Sequence, residues 1–171
     1  MCSIFIDLQK AFDTVSHQIL LQKLFRYGIR GTAYELMRSY LENRLQCTIC
    51  NGCRSEYSVV ECGVPQGSTL GPLLFLIFIN DLHSSSIFDL NLFADDACLT
   101  LSNMCPQKLE SLVNNELNKI VYWLEINKLA LNVKKTHYLI FANKKSPPSV
   151  QIYIKDEPLV SFTCQLRRGY Y

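Results

Sequence analysis

Two adjacent aspartates between two apolar segments constrain the fold of this chain more than any other feature. Asp95 and Asp96 separate the mainly apolar residues 90–93 from the mainly apolar residues 97–101. Side chains alternate along a strand, so two neighbouring carboxylates at a strand end cannot both enter a core, and burying an ionised carboxylate without a partner is very costly. The pattern therefore predicts a hairpin whose turn offers both aspartates to cations or water.

Composition places the chain among globular proteins of one domain. Its 171 residues are 49% hydrophobic, enough for a core, and the net charge of +2 gives no strong electrostatic argument for a nucleic-acid partner. Eight cysteines follow no secretory leader, which favours reduced thiols and an intracellular location, nuclear or cytoplasmic. The longest apolar run covers residues 73–79, whereas a spanning helix needs about 20 residues, so no membrane partner is expected.

The N-terminal segments predict a strand followed by two helices. Residues 2–8 are β-branched and aromatic enough for a buried strand that ends near Asp7. Ser16 is a suitable cap for a first helix, and Gly28 suits the left-handed residue that ends it. A capping box of Thr32 and Glu35 predicts the start of a second helix, which runs to about residue 43.

The remaining segments predict hairpins, one central helix and one amphipathic helix. Asn51-Gly52 is the pair favoured where both central turn residues need positive φ, so residues 45–60 predict a hairpin. The glycine-rich residues 63–71 predict a loop, and Pro72 suits the first turn of a buried helix that ends near residues 84–86. Pro106 opens an amphipathic helix. Further strands are predicted at residues 129–131, 138–142, 150–154 and 159–162, with Asp156-Glu157 as the turn of the last pair.

The order of these elements predicts a phosphoryl-transfer site. Asp7, Asp95 and Asp96 would lie at neighbouring strand ends, and such an oxygen-rich set suits Mg²⁺, which often shares its shell with substrate phosphates. Two such ions can stabilise the attacking and leaving oxygens of an in-line displacement, which predicts nucleotidyl transfer. A two-carboxylate hydrolase is an alternative, but it needs one acid with a raised pKa, and three clustered aspartates favour metal ions.

Four motifs that occur in order resemble the palm of a reverse transcriptase. They are residues 7–13 (Asp-Leu-Gln-Lys-Ala-Phe-Asp), 63–68 (Gly-Val-Pro-Gln-Gly-Ser), 93–96 (Phe-Ala-Asp-Asp) and 129–136 (Leu-Ala-Leu-Asn-Val-Lys-Lys-Thr). The flanking residues 71–82 narrow the resemblance to the enzymes of non-LTR (LINE-type) retrotransposons, and it covers about residues 3–142.

The resemblance implies an α+β fold in which helices back a polymerase palm-like, mainly antiparallel sheet of ferredoxin-like βαββαβ character. It implies a palm at residues 1–142 with truncated fingers. Residues 143–171 would be a partial C-terminal hairpin and a divergent tail, without a thumb.

The resemblance also implies an RNA-directed DNA polymerase. Such an enzyme extends a DNA primer on an RNA template with deoxynucleoside triphosphates and two Mg²⁺ ions, with Mn²⁺ as a possible substitute. The resemblance assigns catalysis and metal binding to Asp7, Asp95 and Asp96. Substrate binding is implied for Phe12 as the steric gate against a ribose 2′-hydroxyl, for Gln66 and Gly67 against template and nucleotide, and for Lys135 toward the departing pyrophosphate.

Two alternatives stay open at this point. The chain could be a catalytically inactive, truncated remnant of such an element. It could also be a zinc-binding interaction module, because Cys47, Cys50, Cys53 and Cys62 have a spacing that resembles zinc or iron-sulfur sites. The Asn51-Gly52 turn brings only Cys50 and Cys53 together readily, so we interpret these four cysteines as incidental, scattered buried thiols.

Overall fold

A computed structural model describes residues 1–142 and 148–162, which divide into two compact units. The sheet unit comprises Met1–Gln9, Leu82–Ile126 and the described residues from Ala130 onward. The helical unit comprises Lys10–Asp81 and Asn127–Leu129.

The described residues form eleven strands, four α-helices and one 3₁₀-helix. In chain order they form β1 (Cys2–Ile6), α1 (His17–Arg26), α2 (Gly31–Leu41), β2 (Leu45–Gln46), β3 (Ile49–Cys50), β4 (Cys53–Arg54), β5 (Ser58–Val59), α3 (Leu70–Ile79), a 3₁₀-helix (Asn80–Ser85), β6 (Asp89–Phe93), β7 (Asp96–Leu101), α4 (Pro106–Ile126), β8 (His137–Ile140), β9 (Tyr153–Ile154), β10 (Glu157–Pro158) and β11 (Val160–Phe162). The predicted mixed fold with a mainly antiparallel sheet is confirmed.

A five-stranded sheet dominates the sheet unit, with the order β11-β8-β1-β7-β6. The central strand β1 is antiparallel to both β7 and β8, and β6 and β7 form an antiparallel hairpin. Only β11 runs parallel to its neighbour β8 within the described sheet. Both the N-terminal strand and the hairpin that carries the paired aspartates are therefore confirmed.

Alternation along the strands separates a buried face of the sheet from an open one. Ile4 and Ile6 of β1 are buried, as are Leu99 and Leu101 of β7, whereas Phe5 between the two isoleucines is exposed. Helix α4 adds a buried stripe at helical spacing, as the amphipathic pattern predicts. The stripe contains Leu109, Val113, Leu117, Ile120, Val121 and Leu124.

Helix α1 contacts both α2 and α3 in the helical unit. Ser16 is the N-cap residue of α1 and Gly28 has a φ of +93°, so both predicted ends of this helix are confirmed, although the Ser16 side chain makes no capping hydrogen bond. The buried Lys23 ammonium donates to the Phe78 carbonyl and to Asp81 Oδ1, each at 2.6 Å. Burial lowers the pKa of Lys23, and the hydrogen bond to Asp81 opposes this shift.

Helix α3 is buried on one side only. Leu74, Phe75 and Phe78 are buried, but Leu73 and Leu76 are exposed. The prediction of a wholly buried helix is therefore wrong in part, because a continuous apolar run carries no periodicity that could reveal its exposed side.

Four further sequence predictions need correction. Helix α2 begins at Gly31 with Arg30 as its N-cap, so Thr32 lies within the first turn and forms no capping box with Glu35. The turn between β9 and β10 is Lys155-Asp156, one residue earlier than predicted.

The strand at residues 160–162 pairs with β8 rather than with residues 150–154. Of residues 129–131, only Leu131 makes a bridge, to Leu8. Among the described residues, no helix combines the length and the apolar character that crossing a membrane requires.

Candidate active site

The register of the central strands brings two of the predicted site residues together. Ile6 of β1 lies opposite Ala97 of β7, so the next position places Asp7 beside Asp96. Both aspartates follow the alternation that points toward the open face, because Ile6 and Ala97 are on the buried face. The sheet itself therefore creates a carboxylate pair from residues that are far apart in sequence.

Backbone contacts hold the end of β1 in place. The amide of Asn132 donates to the Asp7 carbonyl at 2.9 Å, and the amide of Gln9 donates to the Ala130 carbonyl at 2.8 Å. The Asp7 amide lies 3.4 Å from Thr136 Oγ1. These contacts fasten Asp7 to the segment at residues 130–136, which carries the fourth sequence motif.

The turn between β6 and β7 carries the paired aspartates. Phe93 and Asp96 are its last paired residues, and Ala94 and Asp95 form the turn. Ala94 has a φ of +55°, a left-handed conformation that an alanine adopts only at an energetic cost. Asp95 is half-buried at the apex, whereas Asp96 is exposed at the start of β7. The two aspartates thus have different surroundings.

A cleft of about 700 Å³ on the open face contains the carboxylate pair. Asp7 and Asp96 line it together with Lys134 and Lys135, so two negative and two positive side chains share one cavity. Asp95 is not among the residues that line this cleft. The aromatic part of the lining is formed by Phe5, Phe93, His137 and Phe162.

The predicted substrate-binding residues of the helical unit form a separate group of contacts. The Phe12 ring is half-buried and packs on Phe75, with ring centroids 4.7 Å apart and planes inclined by 37°. Gln66 Nε2 donates to Asp13 Oδ1 at 2.7 Å. Gly67 is exposed and has a φ of +75°, which a glycine adopts without strain.

The glycine-rich loop is attached to the segment that carries Phe12. The Gly63 amide donates to the Val15 carbonyl at 2.7 Å, and the Val64 amide donates to the Phe12 carbonyl at 2.8 Å. A Cβ atom on Gly63 would lie 2.8 Å from the Asp13 carbonyl oxygen, so only glycine fits there. His17 Nε2 lies 2.7 Å from the Gly63 carbonyl.

Sequence reasoning did not single out Asp13 or His17 as supports of this loop. Asp13 is the last residue of the first motif, and its place in that motif is the one sequence signal that points to a role for it. His17 lies alone in the sequence pattern, and its partner is a backbone carbonyl that no side-chain motif can reveal.

The donor chemistry at Asp7 and Asp96 suits hard divalent cations, which prefer carboxylate oxygens. Within residues 1–142 and 148–162, neither carboxylate has a hydrogen bond or an ion pair, so their oxygens are available to a cation or to water. In the same residues, no group of three or more His, Cys, Asp or Glu side chains lies close enough to hold a metal ion. The described residues therefore contain a carboxylate pair but no complete set of metal ligands.

A family model decides what kind of protein this is. Residues 1–162 match the model described as reverse transcriptase (RNA-dependent DNA polymerase). The chain belongs to the reverse transcriptase family. This result confirms the resemblance that the four ordered motifs indicate.

Curated relatives of this reverse transcriptase come from mobile elements. One is named as a probable RNA-directed DNA polymerase from transposon X-element of Drosophila melanogaster; it is 30% identical over 162 residues, which cover 92% of this chain and 18% of the relative. Another is named as the RNA-directed DNA polymerase from mobile element jockey of Drosophila funebris, with 30% identity, 82% of this chain and 16% of the relative. The chain thus spans less than a fifth of the length of either relative.

Solved structures similar to this reverse transcriptase include telomerase from Candida albicans, described in complex with a TWJ fragment of telomeric RNA. The TM-score is 0.61 at 16% identity, over 89% of this chain and 29% of the telomerase chain. At this identity the likeness supports the fold alone, and it is consistent with a polymerase palm-like arrangement.

Proposed function

We propose that this chain carries the nucleotidyl-transfer centre of an RNA-directed DNA polymerase. The reaction joins a deoxynucleoside triphosphate to the 3′-hydroxyl of a DNA primer on an RNA template and releases pyrophosphate. The observation that carries the proposal is the pair of Asp7 and Asp96 at one end of the sheet, in a chain of the reverse transcriptase family. The names of the curated relatives support RNA as the template.

Asp7, Asp95 and Asp96 are the residues we propose to hold divalent ions, with Mg²⁺ as the expected metal and Mn²⁺ as a substitute. When bound, two such ions supply Lewis-acid activation of a hydroxyl nucleophile and stabilisation of a phosphate leaving group. Asp7 and Asp96 offer free carboxylate oxygens on the open face. Asp95 would have to turn from its place at the apex to join them.

Lys135 is the residue we propose to act on the leaving group. Its ammonium is exposed and lines the cleft that contains Asp7 and Asp96. A lysine there can donate a proton to a departing phosphate oxygen and neutralise its charge. Lys134, beside it, adds a second positive charge that attracts a triphosphate.

The proposed substrate contacts in the helical unit follow from shape and hydrogen bonding. Phe12 is fixed by Phe75, so its ring can exclude a 2′-hydroxyl instead of rotating away from it. Asp13 holds one amide proton of Gln66, which leaves the Gln66 carbonyl and its second amide proton available to a template or nucleotide. Gly67 allows the close approach of a backbone.

A finer assignment of the fold is part of this proposal. The strands β1, β6, β7 and β8 have the spatial order β8-β1-β7-β6, and each neighbouring pair is antiparallel. This order supports a ferredoxin-like βαββαβ arrangement in which β11 is an addition. We propose residues 1–142 as the palm segment of the longer enzyme.

Primer extension tests the proposed reaction. The purified chain is incubated with an RNA template, a labelled DNA primer, deoxynucleoside triphosphates and Mg²⁺. We expect extension that fails with ribonucleotides, and we expect Phe12→Val to relax that discrimination because the gate becomes smaller. A folded chain that extends no primer would contradict the proposal and favour an inactive remnant.

A further inference from the structure

The hairpin of β3 and β4 places two thiols side by side. Cys50 lies directly opposite Cys53, and the two-residue turn between them is Asn51-Gly52, with φ values of +50° and +79°. Residues that flank such a turn share one face of the ribbon, and a hydrogen-bonded antiparallel pair has Cα atoms about 5.5 Å apart. Both cysteines are free and exposed, so the interpretation of these two as buried thiols is wrong. A ligand can therefore reach both sulfur atoms at once.

The rest of that face supplies hydroxyl groups rather than more thiols. Thr48 and Ser55 continue the pairing: the Thr48 amide donates to Ser55 Oγ, and the Ser55 amide donates to the Thr48 carbonyl, both at 2.9 Å. By alternation, Cys47 falls on the opposite face from Cys50. Cys62 makes its bridge to Ser16, away from this ribbon. The hairpin thus presents two thiols, whereas a structural zinc site needs four ligands.

We propose that Cys50 and Cys53 form a dithiol binding site for a soft ligand that takes two sulfur donors, with trivalent organoarsenicals as the chemical class. Soft acceptors prefer thiolate to hydroxyl or carboxylate oxygen, so Thr48 and Ser55 do not compete for the ligand. In the described residues, no other two cysteines are opposite each other in a β-sheet register.

The binding step is a condensation without change of oxidation state. An arsenoxide R–As=O reacts with both thiols: two As–S bonds form, the As=O bond breaks, and the two thiol protons leave with that oxygen as water. Arsenic remains trivalent, so the step needs no oxidant or reductant. The turn already holds the two sulfur atoms together, which reduces the entropy lost when the second As–S bond forms.

Binding would connect the two strands of a short ribbon. Each of β3 and β4 has only two residues, so few backbone hydrogen bonds hold them together. A bridge through arsenic closes a ring across Asn51-Gly52 and fixes the end of this hairpin. The site is independent of Asp7 and Asp96 and does not depend on the polymerase function.

Phenylarsine oxide is the probe that tests this site. The full reduced chain is titrated with it, and bound arsenic is measured by intact-mass spectrometry, with a soluble dithiol as competitor to give the affinity. We expect one phenylarsenic group per chain, held by two As–S bonds. The affinity should be at least about tenfold lower for Cys50→Ser and for Cys53→Ser. Serine variants at each of the other six cysteines are controls that should keep the parent affinity.

A turn variant separates hairpin geometry from mere closeness in sequence. Gly52→Val keeps both thiols but places a β-branched residue at a φ of +79°, so it should disrupt the turn and lower the affinity several-fold. An unchanged affinity in Gly52→Val or in Cys50→Ser would overturn the proposal. Loss of binding on substitution of any other cysteine would also overturn it, since a different pair would then hold the arsenic.

Discussion

Close packing against Asp13 leaves no room for a side chain at Gly63. A Cβ atom there would lie 2.8 to 3.0 Å from backbone atoms of Asp13, and its φ is +91°. We expect Gly63→Ala to lower the free energy of unfolding by about 3 kcal/mol, as backbone strain and overpacking add. Chemical denaturation measures this loss.

Gly28 supplies the matched control for Gly63. It has nearly the same φ, +93°, but nothing lies within 4 Å of a built Cβ atom. Gly28→Ala should therefore cost only about 1 kcal/mol, from the backbone conformation alone. Equal losses at the two glycines would show that the contact with Asp13 does not determine the stability of the loop.

Cys2 makes the free energy of unfolding depend on pH in alkaline solution. Burial raises the pKa of this thiol from 9.0 to about 12, and the nearby N-terminal ammonium offsets part of the shift. Between these values the unfolded chain has lost a proton that the folded chain still holds, so stability falls as pH rises above about 9. Cys2→Ala should remove this component.

Denaturation curves at pH 8 and pH 10 measure that component. The parent should lose about 1.4 kcal/mol more than Cys2→Ala between the two pH values. Cys53→Ala, at an exposed thiol, should behave as the parent does. Identical pH profiles for the parent and Cys2→Ala would contradict the buried state of this thiol.

At the scale of single residues, the sequence indicates which side chains matter but not always what they contact. The aspartates, Phe12 and Gln66 are recognisable from their motifs. The hydrogen bond between Asp13 and Gln66 joins residues that are far apart in sequence, so it depends on a chain path that no local pattern encodes.

Among the elements, α4 is the one with the most regular apolar pattern. Leu117 lies in the middle of its buried stripe and has no exposed surface. Leu117→Ala should lower the free energy of unfolding by about 3 kcal/mol because it leaves a cavity in the core.

Leu36 of α2 is the control for the α4 prediction. Its side chain is 63% exposed, so Leu36→Ala should change stability by no more than about 0.5 kcal/mol. Urea denaturation of both variants provides the comparison. Similar losses in the two variants would contradict the assignment of α4 as a core helix.

Elements with strong local signals are predictable from the sequence, whereas those set by distant partners are not. The ends of α1 follow from Ser16 and Gly28, and the Asn51-Gly52 turn follows from the demand for positive φ. The parallel pairing of β11 with β8 has no local signal, because a short alternating strand fits more than one neighbour. The exposed side of α3 also has no local signal, because its apolar residues form a continuous run without periodicity.

At the scale of the whole molecule, the sheet order creates the candidate site. β1 lies between β7 and β8. Asp7 therefore lies beside Asp96 of β7, and its backbone contacts residues 130–136, the segment that precedes β8. The order of the predicted elements places the three aspartates at neighbouring strand ends, and the family resemblance assigns them a common role. The strand register accounts for two of them, while the turn sets the direction of Asp95.

Binding of Mn²⁺, followed by nuclear magnetic resonance, tests whether Asp7 and Asp96 hold a divalent ion, and it needs no catalytic turnover. Mn²⁺ is paramagnetic, binds carboxylate sites that accept Mg²⁺, and broadens the signals of nearby nuclei. We expect broadening centred on the amides of Ile6 and Ala97, reversed by excess Mg²⁺. We also expect that broadening to be lost in the double variant Asp7→Asn, Asp96→Asn. Asp89→Asn, at an exposed residue of β6 outside the cleft, should leave it unchanged. Broadening centred elsewhere, or unchanged in the double variant, would contradict the assignment of these aspartates as the metal-binding centre.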